Sequence, residues 1–340
     1  MKILTFCSMI LLLMSCNQVN RVDKVTLDSE NMKIIQGLKS NEDIMKLQKT
    51  LIIDIPPGNQ RLYKLKMMNR YLFGTKFQSG SFLGMIWDNS GRFIGNIGNI
   101  GKGPGEYISL ADIVVISDNK FYLFDNSRHI ALLFQIDEGI IRYIDEILLD
   151  ELSSIMISRV YYLNGNIYIF SFYGIKDGYQ VFVFDENFKF KNKFHKRHNE
   201  ARAETYCGVT LSKDRIFMLD SFNFDKNEFY ESFVYVYDLN GKYLRKFDVG
   251  NKKIADIDID KSGNILIVTY MDEFKVDTKL SFKLFDINGK FLKSLNEAEH
   301  FQIKNFIGIN YTMDFRNKIY VKIKENKLEC NVYNFDLGLK

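Results

Sequence analysis

The chain has 340 residues, of which 46% are hydrophobic and 26% charged, and carries a formal net charge of +4. That length suits one large all-β domain or two ordinary ones, and the near-balanced charge excludes the basic footprint that nucleic acid binding requires. Its 29 Phe and 19 Tyr beside only 3 Pro favour pleated, half-buried surfaces.

The first element is an export signal. Lys2 is a minimal positive region, and Ile3 to Met14 form an apolar run of 12 residues. A bilayer core needs about 20 apolar helical residues, so the run reads as a cleaved signal over 1–15 rather than a membrane helix. Leu13-Met14-Ser15-Cys16 resembles a bacterial lipobox, in which the cysteine thiol takes an acyl chain such as palmitate before the signal is removed. More than one acyl chain makes membrane residence stable, since a single chain is marginal. Cys16 is therefore the expected lipid attachment site, and 16–45 the lipidated tether. At about 5–6 Å × √n such a tether reaches about 30 Å. Helical structure around Ile44 to Lys49 would shorten it. Residues 17–21 lack the acidic cluster that would suggest surface export, which favours the periplasmic side of an outer membrane. With Cys7 lost and Cys16 acylated, only Cys207 and Cys330 are left to pair. Two cysteines carry no framework signal, and both read as buried thiols.

Beyond the tether the sequence repeats itself. A turn followed by a short apolar strand recurs at Tyr71, Phe121, Ile167, Ile216, Ile265 and Ile319, at steps of 46–54 residues. A strand ending in Asp, often turning on Gly soon after, recurs at Asp88, Asp137, Asp185, Asp238, Asp286 and Asp336, at steps of 48–53. Two independent markers thus give six copies. Each reads as four strands, as in the fifth: Ile257 to Asp260, Asn264 to Thr269, Leu280 to Asp286 and Lys290 to Leu295, joined by Ser-Gly and Asn-Gly turns that suit hairpins. Four-stranded units at this period predict an all-β, six-bladed β-propeller over 46–340. The sixth copy ends one strand short, leaving an edge that a closed ring cannot tolerate. Thr50 to Ile55 is expected to supply that strand.

The residues resemble a known family at this point. Ile97-Gly98-Asn99-Ile100-Gly101-Lys102-Gly103-Pro104-Gly105-Glu106-Tyr107 looks like the Gly-rich inter-blade loop of NHL-type propellers, and Tyr237 to Leu244 and Phe285 to Leu292 look like its third-to-fourth-strand hairpin. With the lipobox, the whole is similar to the six-bladed β-propeller lipoproteins of gut anaerobes, in the NHL/TolB-like superfamily. The resemblance implies a ring of blades at the cell envelope, in a family whose biochemical role is mostly unassigned.

No catalytic, cofactor or metal set emerges from the motifs. The 101–107 loop leads into the strand-like run Ile113 to Ile116 rather than a helix, so it does not read as a phosphate cradle. His195-Lys196-Arg197-His198 and Arg202 read as a solvated loop, with no Cys or carboxylate pair to complete a zinc set. Asp256, Asp258 and Asp260 alternate along one strand; they line a channel that could take Ca²⁺ or lie on a wet edge, and the wet edge is favoured.

Connection lengths say more. Turns between first and second strands are short, whereas Ser221 to Glu231, Tyr270 to Lys279 and His195 to Tyr206 are long and open on one face. Variable loops on a rigid scaffold are where binding is usually placed. The expected role is a binding or scaffolding module, with Arg197, Arg202, Phe224 and Tyr230 as the loop residues that contact a protein or glycan partner. The alternative is a metal-dependent hydrolase or lyase acting in the central channel. Cys16→Ser is expected to move the protein out of the membrane fraction and abolish acyl-label incorporation, which fractionation of labelled cells would check.

Overall fold

A computed structural model describes residues 45–54, 62–68, 70–78, 80–153, 155–171, 180–195, 204–223, 228–250, 254–259, 264–270, 280–295, 317–324 and 327–335. The signal, Cys16 and the tether up to residue 44 lie outside these. Five four-stranded antiparallel sheets follow one another in chain order. Blade 1 comprises Leu62–Met68, Tyr71–Gln78, Ser81–Asp88 and Phe93–Ile97. Blade 2 comprises Leu110–Val115, Lys120–Asp125, Ile130–Asp137 and Ile140–Leu148. Blade 3 comprises Ile157–Leu163, Asn166–Ser171, Gln180–Asp185 and Phe190–His195. Blade 4 comprises Glu204–Leu211, Arg215–Asn223, Glu228–Asp238 and Tyr243–Asp248. Blade 5 comprises Ile254–Ile259, Ile265–Tyr270, Leu280–Phe285 and Phe291–Leu295. A sixth sheet joins Asn317–Lys324, Lys327–Phe335 and Met45–Asp54 in that order. Among the described residues the one helical piece is the 3₁₀ turn Asp150–Leu152, and no helix is long and apolar enough to cross a membrane. The fold is the six-bladed propeller that the repeats predict.

Both repeat markers acquire a physical cause. In blades 1, 3, 4 and 5 the recurrent aspartate closes the third strand, and its Oδ1 accepts the amides two and four residues on. The pairs are Ser90 and Arg92 on Asp88, Asn187 and Lys189 on Asp185, Asn240 and Lys242 on Asp238, and Asn288 and Lys290 on Asp286, at 2.8–3.1 Å. A carboxylate accepting two amides makes an Asx turn that ends the strand and starts the hairpin. Three of these turns place glycine in the left-handed region; the fourth places Phe188 there, at φ 58°. Phe188 is held by its packing on Tyr122, Phe124 and Phe184, at ring centroids of 4.7, 6.0 and 5.9 Å. The apolar marker supplies the second strand, whose alternate residues enter the two flanking seams. Phe121 thus meets Phe73 of blade 1 edge-on and stacks on Phe134.

The sixth sheet bears on the missing strand. Met45–Asp54 runs antiparallel to Lys327–Phe335, with Leu51 opposite Cys330 and Asp54 opposite Lys327. Cys330 is a buried thiol, as are the side chains of Leu51 and Ile53. Residues 45–49 are strand rather than helix, because Met45, Lys46 and Leu47 pair with Phe335, Asn334 and Tyr333. This strand shares a contact with the fourth strands of other blades. The hairpin glycine of one blade packs on the fourth strand of the blade before, Gly241 on Phe194 and Gly289 on Phe247; Gly91 packs likewise on Ile52, where an added Cβ would lie 2.5 Å from the Ile52 carbonyl oxygen. Deleting 45–54 is expected to lower the unfolding temperature by roughly 10 °C or to cause aggregation, since it removes two buried apolar side chains and their pairing. Deleting 17–40 should leave the transition unchanged; thermal unfolding of both variants checks this.

Candidate functional site

Antiparallel order puts the connections of a blade at its two ends. Turns from first to second and third to fourth strand share one end; connections from second to third strand and between blades share the other, the loop end. Of the residues expected to bind there, Arg197, Arg202 and Phe224 lie outside the described residues. Tyr230 lies on the strand Glu228–Asp238 rather than in a loop. The expected loop from Ser221 to Glu231 is largely hairpin: Phe222 pairs with Phe229 and Asn223 with Glu228, since aromatic residues suit a paired strand. The backbone of His195 closes the last strand of blade 3.

The described part of the loop end is organised by Asp125, which the motif reading missed. Its carboxylate is fully buried and accepts the amides of Ile108 at 2.7 Å, Ser109 at 3.0 Å, Ser127 at 2.8 Å and Arg128 at 3.3 Å. One side chain thus ties the connection from blade 1 to the turn inside blade 2. Asn126 extends the tie to blade 3, accepting from the Ile157 amide at 2.7 Å and donating to its carbonyl at 3.2 Å. Arg128 donates to the Glu106 carbonyl at 2.8 Å and to Glu146 at 3.1 Å. A signal existed in the sequence. The residue four places after the apolar marker is polar in five repeats: Thr75, Asp125, Ser171, Asp220 and Thr269.

The Gly-rich loop is a packed connector, as its glycines suggest. Gly98 has φ 59°, and a Cβ there would collide with the Gly105 carbonyl oxygen. Gly105 is in turn pressed against the Tyr143 ring. Gly101 donates to the Tyr107 carbonyl at 3.0 Å, and the Gly103 amide donates to Glu106 Oε2 at 2.8 Å, so these amides are occupied. The Tyr107 hydroxyl, fully buried, accepts from the Gly84 amide at 2.8 Å and donates to the Ile97 carbonyl at 3.0 Å. Burial holds that phenol well above the usual tyrosine range.

Three large apolar side chains stand exposed on this platform, among exposed polar ones such as Lys102, Ser127, Asp150 and Glu151. Phe77 is 54% exposed, Leu148 64% and Met156 46%, and all three lie at the loop ends of blades 1 to 3. Phe82 backs Phe77 edge-on at 5.4 Å. The exposed Phe190 and Tyr243, at the other end, lean instead on Phe184 and Tyr237 of their own blades.

The alternative site is only partly visible. Asp258, on the first strand of blade 5, is buried rather than on a wet edge. First strands crowd against one another, as the 2.7 Å bond from the Val160 amide to Asp112 Oδ2 shows for blades 2 and 3. The side chain of Asp256 and all of Asp260 lie outside the described residues. Among the described residues no three His, Cys, Asp or Glu side chains converge.

A family model described as a 6-bladed beta-propeller (DUF5128) matches residues 59–294. Among solved structures, a Bacteroides fragilis protein inferred to be exported aligns at 13% identity with TM-score 0.55, over 87% of this chain and 97% of that one. The Dos1 propeller aligns at 13% identity with TM-score 0.49, over 82% of this chain and 78% of that one. Likeness at this identity concerns the fold alone. No curated protein matches the sequence.

Asp125→Ala is expected to destabilise the chain by about 3 kcal/mol or more, because buried amides of two connections lose their acceptor. Asp125→Asn, which keeps one oxygen, should lose about half as much. Denaturant unfolding of the two variants checks the order.

Proposed function

The chain belongs to the 6-bladed beta-propeller family DUF5128, and on that premise we propose that it is a lipid-anchored binding module of the cell envelope. The observation that carries this reading is the loop end of blades 1 to 3, where exposed Phe77, Leu148 and Met156 stand on a platform fixed by Asp125 and Asn126. Apolar side chains on a rigid base offer contact area without a large ordering penalty. The lipobox ending at Cys16 supports export and anchoring, and outer-membrane residence on the periplasmic side forms part of the proposal. Kinship with NHL/TolB-like lipoproteins of gut anaerobes, supported by the Gly-rich connector and the Asp-Asn-Gly hairpins, belongs to it too. The partner is a protein or glycan, engaged also by Arg197, Arg202, Phe224 and Tyr230.

A pull-down from native membranes identifies the partner. Replacing Arg197, Arg202, Phe224 and Tyr230 together with Ala, or Phe77 and Met156 with Ser, should leave unfolding unchanged and weaken binding more than tenfold, about 1.4 kcal/mol. Wild-type binding by both variants, with chelator-sensitive turnover of a lactone or sugar that needs Asp258, would replace this reading with the channel enzyme.

A further inference from the structure

The seam between blades 4 and 5 holds two arginines that the fold does not explain. Arg215 opens the second strand of blade 4 and Arg245 lies on its fourth. They alternate with Phe217 and Phe247, which pack on Ile257, Ile265 and Phe285 of blade 5, so both arginines face that blade at the short-turn end. Arg245 crosses the seam: Nη2 donates to the Ile287 carbonyl, and Nη1 lies 3.4 Å from Asn288 Oδ1. Arg215 Nε lies 3.4 Å from Asp214 Oδ2, a carboxylate 64% exposed to water. After these contacts Arg215 Nη1 and Arg245 Nε are buried with no acceptor among the described residues.

Asp214 pairs with Arg215 through Nε alone, and the two turn acids of the seam are already engaged. Asp238 and Asp286 each commit Oδ1 to two turn amides. Burial first, and then the positive charge of Arg215, lowers the Arg245 pKa against the opposing pull of Asp286. Two half-desolvated cations with unused donors repel each other, and a buried donor without an acceptor is unfavourable. One oxyanion accepting from both would correct both faults, and guanidinium donors match its geometry. Arg215 keeps 24% of its side chain exposed, so solvent has a route to the pair.

We propose that Arg215 and Arg245 form a binding site for a phosphate group at the short-turn end of the seam between blades 4 and 5. The group is either the free ion or a phosphomonoester. The site stands at the opposite end from the loop platform and does not depend on the partner reading.

The test is titration of the purified full chain at constant ionic strength, read by calorimetry and thermal shift. Inorganic phosphate should bind saturably and raise the unfolding temperature, whereas chloride and acetate should not. Arg215→Met should weaken phosphate binding more than tenfold while its unfolding temperature in phosphate-free buffer stays level or rises, because a like charge has gone. Arg245→Lys, which keeps the charge but loses the two-sided fork, should also weaken it. Tighter binding of glycerol 3-phosphate than of phosphate assigns the site to an ester, and the reverse to the free ion. Absence of saturable binding, an equal response to chloride, or full binding by Arg215→Met would overturn the proposal.

Discussion

Every blade depends on its neighbours for burial. A four-stranded sheet with apolar residues on both faces cannot cover either one alone, and here both faces are filled. Phe121 and Leu123 enter the seam towards blade 1, while Tyr122 and Phe124 enter the seam towards blade 3. The same division recurs at Ile216 and Met218 against Phe217 and Leu219 in blade 4. Stability in such a repeat is largely a sum over seams. A blade left without a neighbour would expose a face of large aromatic residues. The close glycine contacts follow from this constraint, since seams at core density leave no room for a Cβ where a hairpin meets a strand.

The same constraint explains what could be read from the residues. The recurrent aspartate was legible because an Asx turn needs a carboxylate at one position and tolerates little else. It faded where the chemistry changed. Asp137 is followed by a two-residue turn with Glu138 and Gly139 both at positive φ, so it bonds instead to Gln135 and Asn119. Irregularities in the first strands were not legible. Pairing shifts at Leu62/Lys64, Leu110/Asp112, Ile157/Arg159, Tyr206/Gly208 and Ile254/Asp256, in all five complete blades. A bulge inserts one residue without changing composition, so alternation such as Asp256-Ile257-Asp258 does not reveal which face each residue takes.

The loop end was harder to read for a related reason. Its long stretches looked like loops because of their length between the repeated strands, yet Phe222 and Phe229 continue the hairpin of blade 4. Asp125 escaped notice because it carries no motif. Its importance comes from amides contributed by Ile108 and Ser109, 17 and 16 residues earlier, and only the fold brings them together.

The two ends of the propeller differ in how charge is handled. At the short-turn end a basic residue follows each Asx aspartate by four positions: Arg92, Lys189, Lys242 and Lys290. Each basic residue therefore has an acid built into its own turn, as in the 3.0 Å contact of Arg92 with Asp88. With Arg92 79% exposed, that ion pair adds little stability and leaves the rim close to neutral. Arg215 and Arg245 break the pattern. They are drawn into a seam, lie near each other, and keep donors that the turn acids do not take up. Buried guanidinium donors left without acceptors at one seam, although Asp214 pairs with Arg215 and Asp286 lies near Arg245, are what separate a candidate anion site from an ordinary basic surface.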